Sequence, residues 1–589
     1  LEEIVPLYRQ AGSDAAITQW DGPTCDKVGL MKMDFLGLRT LTIIQRARDL
    51  VEQQTGQRID PEQLPLDDAE VYRLFKEGRT AGVFQFESGG MRNVLQQIQP
   101  DRIEQIIAAN AMYRPGPMEL IPTYCARKSG NEPVPSVHPL VDDILEETYG
   151  IMAYQEQVMQ VLNRLGQLPL NRALTLIKAI SKKKEKVIAG ERPNFLGGAQ
   201  ANGISAAEAE QLFDLILKFA GYGFNKAHST RYAIVAYQSA WFKVHYPRQF
   251  MAATLTFEAG DSEKLSAYLD ECTAMDIRVG PPSVNASAAD FTVVGEGILF
   301  GLAAIKGVGS KAVEAILDAR KAVGKFVDLF HFCENVDLRA VNRATIEAMI
   351  KCGAFDGMGA HRAAMTAALD AAIQSGQGHA ADRRSGQMNF FETFSRETDD
   401  ADGAEAPRFP DVPAWTEAQL LKAEKETLGF YITSHPLTSH GRELDMLGST
   451  KLAQIKDKPE GAAVTIGVMI SQVRPTFVKK GQSAGSKMAM MTVEDLTGAA
   501  DAVAFSDTFE QYGHLMRAEA MVFLRGTVDR RREEPSIIVE EVIPMDDAVE
   551  RLTGRVELAL DPILGDADRL RVLADTLVAA RGSCPVHLT

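Results

Sequence analysis

The sequence lacks closely spaced cysteines. Its six cysteines are scattered along 589 residues, and no two of them form a Cys-x-x-Cys pair. Zinc sites and redox motifs usually depend on such pairs, and small disulfide-stabilised domains have a much higher cysteine content. The sequence therefore predicts neither a zinc site nor a disulfide framework.

Long hydrophobic runs are also missing. No apolar run reaches the ~18 residues that a membrane-spanning helix needs, and no signal peptide opens the chain. We therefore expect a cytoplasmic protein. The chain starts at Leu1 without an initiator methionine and stops in the apolar run from Cys584 to Thr589. We therefore also expect it to be part of a longer protein.

The chain has no excess of positive charge, because 63 Lys and Arg residues face 79 Asp and Glu residues, giving a net charge of -16. Taken as a total, this charge argues against a nucleic-acid-binding protein. Phosphate contacts, however, need only local basic stripes, and an acidic exterior elsewhere limits non-specific binding. The distribution of charge therefore matters more than its sum.

The hydrophobic pattern predicts a multidomain α+β protein, since the length allows several domains. Apolar residues recur at three-to-four spacing in several segments between residues 40 and 257. The predicted helices are Leu41–Gln53, Glu104–Met112, Gln155–Leu165, Ala207–Phe219 and Tyr232–Tyr246. Short strand-like runs later in the chain have the spacing of a small β-barrel, and an OB-fold fits them best. The predicted strands are Ala462–Val473, Met488–Glu494, Ala500–Phe505, Met521–Val528 and Ile537–Val542.

Asp34 is the single carboxylate in the apolar segment from Lys32 to Leu38, which the pattern predicts as a buried strand or its end. Burying an ionised carboxylate beside Met31 and Met33 costs several kcal/mol unless a cation compensates it. The segment therefore suggests a metal site. The alternative is an edge-strand aspartate that points into water, because alternation leaves every second side chain outside.

A hairpin signature occurs at Lys306 to Lys311, which reads Lys-Gly-Val-Gly-Ser-Lys ahead of the amphipathic segment Ala312 to Arg320. The two glycines allow a tight turn, and the helix start that follows points backbone N–H groups at a phosphate. This pattern predicts sequence-independent duplex binding by a helix-hairpin-helix motif. A plain packing motif is the alternative. A second helical pair, from Leu338 to Ile350 and from Arg362 to Ile373, is predicted to pack behind it.

After Gln374 the composition changes to Ser, Gly, Gln, His and Ala and then becomes acidic and proline-containing as far as Pro413. This composition predicts a linker or an exposed loop. Two adjacent phenylalanines, Phe390 and Phe391, lie in this polar stretch, and their exposure to water would be costly. They are expected either to dock on a partner or to fold back on the parent domain.

Four blocks of the sequence resemble the DNA polymerase III alpha subunits, which are bacterial replicative DNA polymerases. The blocks are Lys32–Thr40, Tyr113–Pro117, Tyr149–Met159 and Lys218–Ser229. The resemblance continues in order along almost the whole chain. It implies template-directed DNA synthesis by a larger protein and assigns regions to this chain. The regions are the C-terminal edge of the palm (1–42), mainly helical fingers (43–257), a helix-hairpin-helix duplex-binding region (258–380), a clamp-binding peptide and linker (381–450), an OB-fold (451–548) and the truncated start of a C-terminal tau-binding domain (549–589).

The resemblance also implies roles for individual residues. Asp34 is expected to be the third of three aspartates that hold two Mg²⁺ ions, with the other two upstream of this chain, and Lys32 is expected to contact substrate phosphate. The chain alone is therefore expected to be inactive. The implied nucleotide-binding residues are Arg114, Lys178, Lys182, Lys183, Lys184, Tyr222, Lys226 and His228. A solvated charge run, a surface arginine in a turn and a loop cap with a satisfied histidine are the alternatives for these residues.

Further residues are expected to bind DNA and protein partners. The DNA-binding residues are Lys306, Gly307, Gly309 and Lys311 in the hairpin and Arg474, Lys479, Lys480 and Arg525 in the OB-fold. Gln387, Met388, Phe390 and Phe391 resemble the short peptide that replicative polymerases insert into the sliding clamp. The implied partners are primer-template DNA, the incoming dNTP, the beta sliding clamp, the clamp-loader tau subunit and, through the upstream region, a proofreading exonuclease. An error-prone polymerase paralogue and a non-catalytic DNA-binding scaffold are the alternatives.

Overall fold

The computed structural model describes residues 1–31, 33, 37–220, 222–385, 409–477, 485–531, 535–560, 566–580, 582 and 584–588, without the side chains of 220 and 382–385. Several predicted site residues lie outside the described residues. They are Lys32, Asp34, Gln387, Met388, Phe390, Phe391, Lys479 and Lys480.

The chain begins with a small sheet, in which β1 (Leu7–Arg9) pairs antiparallel with β2 (Ala16–Thr18), followed by α1 (Gly22–Lys27). Beyond α1, Met31 and Met33 are 79% and 62% exposed and belong to no strand. The prediction of a buried strand is therefore wrong for the described part of this segment. A strand is buried only by neighbouring elements, and β1 and β2 pair with each other rather than with this segment.

Residues 39–274 are mainly helical, and the three-to-four spacing predicts this for residues 40–257. The helices are α2 (Arg39–Thr55), α3 (Ala69–Glu77), α4 (Gly89–Ile98), α5 (Ile103–Met112), α6 (Ile121–Lys128), α7 (Pro139–Leu145), α8 (Gln155–Gln160), α9 (Leu170–Ser181), α10 (Glu185–Ala201), α11 (Ala206–Ala220), α12 (Lys226–His245), α13 (Pro247–Glu258) and α14 (Ser262–Ala274). Short 3₁₀ turns lie at Pro61–Gln63, Pro117–Leu120 and Glu146–Thr148. The five predicted helices of this region are confirmed.

Two helix ends differ from the prediction. The segment predicted as one helix over Gln155–Leu165 is α8 continued by a π-helical turn at Val161–Leu165. Helix α12 begins at Lys226 rather than near Tyr232, because the Asn225 side chain accepts a hydrogen bond from the His228 backbone N at 2.7 Å and caps the helix. The polar end of the block Lys218–Ser229 is therefore a loop only as far as Asn225, and from Lys226 it forms the first turn of α12.

Two hydrophobic cores stabilise the helices between α3 and α12. Helices α3 to α6 pack with α12 around Phe75, Phe86 and Tyr237. Helices α7 to α11 form a second core around Leu162, Phe195 and Phe213. The turn between α7 and α8, at residues 146–154, contributes side chains to both cores. This turn therefore joins the two halves of the helical region.

The hairpin region begins with a three-stranded sheet of β3 (Val279–Gly280), β4 (Thr292–Val294) and β5 (Gly297–Leu299). A 3₁₀ turn at Leu302–Ala304 precedes the hairpin. The helices that follow are α15 (Ser310–Val323), α16 (Leu329–Asn335), α17 (Arg343–Lys351) and α18 (Arg362–Ser385).

Helix α18 is longer than predicted, so the expected linker does not start at Gln374. The helix passes close to α16 at Gly376, where a Cβ atom would lie 2.3 Å from the Cys333 carbonyl oxygen. The glycine thus serves close helix packing rather than flexibility. Helix α17 is shorter than predicted and starts at Arg343, where Asn342 caps it by accepting from the Thr345 backbone N at 3.0 Å.

The OB-fold is a closed five-stranded barrel with the order β10-β8-β7-β6-β9. Its strands are β6 (Ala463–Phe477), β7 (Lys487–Asp495), β8 (Gly498–Ala504), β9 (Met521–Asp529) and β10 (Ser536–Pro544). All five predicted strands are confirmed. Along β6, Val464, Ile466 and Val468 face the barrel core, whereas Met469 packs in a separate cluster with Leu437 and Phe523. The barrel interior is thus filled by side chains, as in other small barrels.

The remaining elements connect and follow the barrel. Before it lie α19 (Glu417–Leu428), α20 (Gly441–Leu447) and 3₁₀ turns at Pro436–His440 and Leu452–Asp457; α21 (Ser506–Tyr512) lies between β8 and β9. After it lie α22 (Met545–Leu552), β11 (Val556–Leu558), α23 (Ala567–Ala579) and β12 (Val586–Leu588), with β11 parallel to β12. Within the described residues no helix combines the length and apolarity required to cross a membrane.

Candidate nucleotide and DNA-binding sites

Arg114 joins two sequence blocks that lie far apart in the chain. Its Nη2 donates to the Tyr222 carbonyl oxygen at 3.3 Å, and its Nε donates to the Ala111 carbonyl oxygen at 3.2 Å. Its guanidinium carbon lies 4.0 Å from the centroid of the Phe224 ring, within cation–π distance. Partial burial lowers the pKa of Arg114 from its ordinary value, yet arginine stays charged in proteins. The structure therefore presents a positioned cation here.

The block Tyr149–Met159 joins the same surface through backbone hydrogen bonds with Phe224. The Phe224 N donates to the Ala153 carbonyl oxygen at 3.1 Å, and the Gln155 N donates to the Phe224 carbonyl oxygen at 2.9 Å. Gly116, with φ of +101°, lets the Tyr222 ring pack against it, because a Cβ atom there would lie 2.7 Å from the Tyr222 Cδ1. Three of the four blocks that the sequence singles out therefore converge on one surface.

A row of aromatic rings in edge or tilted contact extends from Arg114 along α12. The Phe224 and His228 ring centroids are 5.4 Å apart, those of His228 and Tyr232 are 4.3 Å apart, and those of Tyr232 and Phe84 are 5.1 Å apart. Sequence reasoning missed Tyr232 and Phe84. The i, i+4 spacing of His228 and Tyr232 on a helix is the signal that predicts their contact.

Lys226 lies at the start of α12 and is paired. Its Nζ lies 2.8 Å from both carboxylate oxygens of Glu147 and 5.5 Å from the centroid of the Tyr154 ring. Glu156 accepts from the Lys226 backbone N and from the Asn225 Nδ2, both at 2.8 Å. Two carboxylates therefore occupy the positive end of this helix, where a phosphate would also be stabilised.

The predicted lysine run lies apart from this surface. Lys178 belongs to α9, and Lys182, Lys183 and Lys184 form the turn between α9 and α10, all with exposed side chains. Among the described residues, none of these four lysines forms an ion pair, and no hydrogen bond or ring contact joins them to Arg114 or Lys226. The helices on either side of them, α9 and α10, belong to the second core rather than to the first. The run is thus a cluster of exposed ammonium groups on the half of the helical region that contains the second core.

Two other elements, α19 and α17, hold the hairpin by hydrogen bonds to its backbone. The Lys306 N donates to the Thr427 carbonyl oxygen at 2.9 Å, and the Thr345 Oγ1 donates to the Gly307 carbonyl oxygen at 3.2 Å. Gly307 has φ of +85°, whereas Gly309 has φ of -81° and provides no side-chain cap for α15. No side chain caps α15 among the described residues, and the first N–H group of the helix that is hydrogen-bonded within the chain is that of Ala312, which donates to the Gly309 carbonyl oxygen at 3.0 Å. The N–H groups of Ser310 and Lys311 before it are therefore left for a phosphate. Lys306 and Lys311 are exposed beside them.

Helix α19 supports the hairpin through a buried ion pair. Glu424 is fully buried, and its Oε1 accepts from the Arg362 Nη1 at 3.0 Å. Its Oε2 accepts from the backbone N of Ile432 and of Thr433, each at 3.1 Å. Because Thr427 lies on the next turn of α19, this network fixes the carbonyl that holds Lys306. Sequence analysis assigns this segment no role, because the residues that Glu424 binds lie on other elements.

The OB-fold candidates are not adjacent to each other. Arg525 pairs with Glu541, with Nη1 2.9 Å from Oε2, and lies opposite Thr465 on β6. Arg474 lies nearer the other end of β6 and pairs with Glu263 of α14 at 3.3 Å. At the rise of a strand the two positions along β6 are roughly 30 Å apart if the strand is straight. The two arginines therefore do not form one contiguous patch.

A metal site is not found among the described residues, because no group of three or more His, Cys, Asp or Glu side chains has suitable geometry there. Asp34, the predicted metal ligand, lies outside them.

Four family models match parts of the chain. The model described as "Bacterial DNA polymerase III alpha subunit finger domain" matches residues 40–203, and the one described as "Bacterial DNA polymerase III alpha NTPase domain" matches residues 1–37. A "Helix-hairpin-helix motif" model matches residues 276–365, and an "OB-fold nucleic acid binding domain" model matches residues 464–545.

Curated relatives named DNA polymerase III subunit alpha match nearly the whole chain. The protein from Haemophilus influenzae is 38% identical over 574 residues, which cover 95% of this chain and 49% of the relative. Those from Neisseria meningitidis serogroup B and Escherichia coli strain K12 are 37% and 35% identical, cover 100% of this chain and extend over 50% and 51% of the relatives. This chain thus spans about half the length of the curated relatives it matches.

Proposed function

Because this chain belongs to the family of bacterial DNA polymerase III alpha subunits, we propose that it forms the fingers, duplex-binding and OB regions of a DNA-directed DNA polymerase. In this proposal the complete protein performs template-directed nucleotidyl transfer during replication. The observation that best supports it is the convergence of three family blocks at Arg114, Tyr222 and Lys226. These residues offer two cations and an exposed aromatic ring on one surface.

The proposed task of this surface is to bind the incoming dNTP. The Arg114 guanidinium can donate to phosphate oxygens, and its stacking on Phe224 fixes its orientation. Tyr222 is 55% exposed and offers a face for a base or sugar. The exposed cations of Lys178, Lys182, Lys183 and Lys184 add positive potential, which stabilises the charge on a leaving pyrophosphate.

Mg²⁺ is the proposed cofactor. Two ions would be held by Asp34 together with two aspartates upstream of this chain, and they would supply charge neutralisation at the reacting phosphate. Lys32, next to Asp34, is proposed to contact substrate phosphate. The residues of this chain would bind and orient the nucleotide and the duplex. The chain alone is expected to be inactive, because one carboxylate cannot hold two ions.

The hairpin is proposed to bind the primer-template duplex through the backbone of Gly307 and Gly309 and the ammonium groups of Lys306 and Lys311. Backbone N–H groups at a helix start contact phosphate oxygens and carry no base information, so this binding is independent of sequence. In the OB-fold, Arg474, Lys479, Lys480 and Arg525 are proposed to contact single-stranded template.

Protein partners are proposed from the family. Gln387, Met388, Phe390 and Phe391 would dock on the beta sliding clamp, residues 549–589 would take part in docking the tau subunit, and the upstream region would bring a proofreading exonuclease. Replacing Phe390 and Phe391 by Ala is expected to weaken clamp binding by on the order of a hundredfold or more, because each buried phenylalanine contributes about 1.5–3 kcal/mol. Binding of the double variant to immobilised clamp as tight as that of the wild type would contradict this assignment.

Primer extension tests the main proposal. The complete polymerase with Asp34→Asn is expected to lose extension with Mg²⁺ and four dNTPs while it keeps its affinity for primer-template. Asp26→Asn, an exposed carboxylate of α1, is the matched control and is expected to retain both. Extension by the purified chain alone would contradict the division of the active site between this chain and upstream residues.

Two alternatives have distinct outcomes. A non-catalytic scaffold would bind primer-template through the hairpin and the OB-fold, yet the complete protein would not extend a primer. An error-prone paralogue would extend primers but would gain no processivity from the clamp on long templates. Clamp-dependent extension of a long template by the complete protein therefore favours the replicative polymerase over both.

A further inference from the structure

Lys226, one of the proposed nucleotide-binding residues, forms an ion pair with Glu147 in the structure. Its ammonium group is equidistant from the two Glu147 carboxylate oxygens, at 2.8 Å each. The side chains of Lys226 and Glu147 are 37% and 28% exposed, so the ion pair is partly accessible to solvent. The same ammonium group that would meet a triphosphate is thus neutralised by a carboxylate of the protein.

The turn that carries Glu147 is fixed by its own backbone. Two consecutive residues after it, Tyr149 and Gly150, have φ of +53° and +78°. The buried Thr148 hydroxyl accepts from the Gln157 Nε2 at 2.8 Å and donates to the Ile151 carbonyl oxygen at 2.6 Å. Glu147 therefore keeps its place, whereas Lys226 has a long side chain with four rotatable bonds. Of the two partners, the lysine is the one that can move to a new anion.

The second carboxylate at this helix start plays a different part. Glu156 accepts from two donors that belong to the helix cap, the Lys226 backbone N and the Asn225 Nδ2, and so it satisfies N–H groups of the first turn. Glu147 satisfies no backbone group of α12; its contact with the helix is the Lys226 ammonium group. An anionic ligand can therefore replace the Glu147 carboxylate as the partner of the Lys226 ammonium group without breaking a backbone hydrogen bond of α12.

We propose that Glu147 is a positioning residue for nucleotide binding, which holds Lys226 beside the site and is exchanged for triphosphate oxygens when the dNTP binds. This inference rests on the proposed function. Each binding event breaks the Glu147–Lys226 pair before Lys226 gains its phosphate contact, so the carboxylate weakens nucleotide affinity while it keeps the lysine extended and oriented. Removing the charge of Glu147 should therefore strengthen nucleotide binding.

The test is steady-state primer extension by the complete polymerase with Glu147→Gln. The KM for dNTP is expected to fall about two- to fivefold, the range for a partly exposed ion pair, while kcat stays within about twofold. Asp370→Asn, which breaks the exposed ion pair with Arg343 in the hairpin region, is the matched control and should leave KM unchanged. An unchanged or raised KM in Glu147→Gln would overturn the inference.

Two further variants separate this inference from the proposed function. Lys226→Met is expected to raise KM, and Glu147→Gln should then have no effect in the Lys226→Met background, since the lysine through which it acts is gone. Should Lys226→Met leave KM unchanged, the nucleotide-binding role of Lys226 itself fails. If Lys226→Met raises KM but Glu147→Gln does not lower it, only the positioning role fails.

Glu147→Asp guards against a folding defect in the glutamine variant. The shorter carboxylate keeps its charge but cannot reach Lys226 as closely, so a KM between those of the wild type and Glu147→Gln is expected. A KM at or above the wild-type value in a variant with wild-type thermal unfolding would contradict the proposal.

Discussion

The hairpin around Gly307 and the lysine run from Lys182 to Lys184 both offer groups to phosphate, but they are built in opposite ways. The hairpin presents backbone N–H groups, and its own backbone is held from two sides by Thr427 and Thr345. The lysine run presents side-chain ammonium groups on an exposed turn, and none of its described side chains forms an ion pair. One site depends on rigidity and the other on charge.

This difference has a physical reason. A backbone N–H group has no side-chain freedom, so it reaches a phosphate only if the chain around it is fixed in the right conformation. An ammonium group on a flexible side chain can reach a phosphate from many backbone conformations. Its electrostatic attraction to the phosphate weakens as the salt concentration rises. Substitutions far from the hairpin should therefore impair duplex binding, whereas the lysine run should respond only to changes of its own charges.

The largest effect is expected for Glu424→Gln. The change leaves the buried Arg362 without its buried carboxylate partner. Breaking a buried ion pair typically lowers the free energy of unfolding by about 3–5 kcal/mol. Arg362 keeps a second carboxylate, Asp356, at 2.6 Å, so we expect the lower end of this range. Hydrogen exchange at the Lys306 amide should speed up accordingly, and duplex affinity should fall although Glu424 does not contact DNA.

The neighbouring Glu426→Gln is the matched control for this prediction. Its carboxylate lies 3.8 Å from the Lys351 ammonium group, and its side chain is 52% exposed. Its loss should change stability by less than about 1 kcal/mol. Equal exchange rates at the Lys306 amide in both variants would show that α19 does not hold the hairpin.

The next effect separates the two glycines of the hairpin. Gly307→Ala places a side chain at φ of +85°, which costs roughly 1–2 kcal/mol in the left-handed region, so the turn should distort and duplex affinity should fall by about tenfold. Gly309→Ala meets no atom within 4 Å and has an ordinary φ, so it should fold normally. Primer-template titrations at several salt concentrations measure both variants.

The outcome for Gly309→Ala is informative in either direction. A loss of affinity without a loss of stability means that phosphate approaches the backbone closely at this position. A loss of stability instead would contradict the open space seen around Gly309. If Gly307→Ala binds duplex like the wild type, the hairpin is only a packing motif.

A smaller effect is expected for the lysine run. Single changes to Gln at Lys182, Lys183 or Lys184 should raise the KM for dNTP by about two- to threefold each, because each exposed charge contributes a few tenths of a kcal/mol. The effect should shrink at high salt, and thermal unfolding should stay unchanged. A salt-independent change of KM would mean that the run acts through structure rather than through charge.

The sequence predicts local structure well and long-range partners poorly. The five helices predicted between Leu41 and Tyr246 and the five barrel strands follow from their own periodicity, and the hairpin follows from two glycines and two lysines in six residues. Glu147 and Glu424 could not be predicted as partners, because the residues that they bind belong to other elements. The burial predicted around Met33 and the linker predicted after Gln374 were wrong for the same reason, since burial and close packing depend on the neighbouring elements and not on the pattern.

The smallest effect is expected for Arg474 and Arg525, the two proposed DNA-binding arginines of the OB-fold. Arg474 pairs with Glu263, whose side chain is 78% exposed, whereas the partner of Arg525 is Glu541, which is 20% exposed and also binds Arg551. A phosphate displaces the exposed partner more easily, since water already screens that pair. Arg474→Gln should therefore weaken binding of a labelled single strand by about two- to threefold at low salt, and Arg525→Gln by less than twofold. Fluorescence anisotropy at low and high salt measures both, and a larger loss for Arg525→Gln would place the binding face at the opposite end of β6.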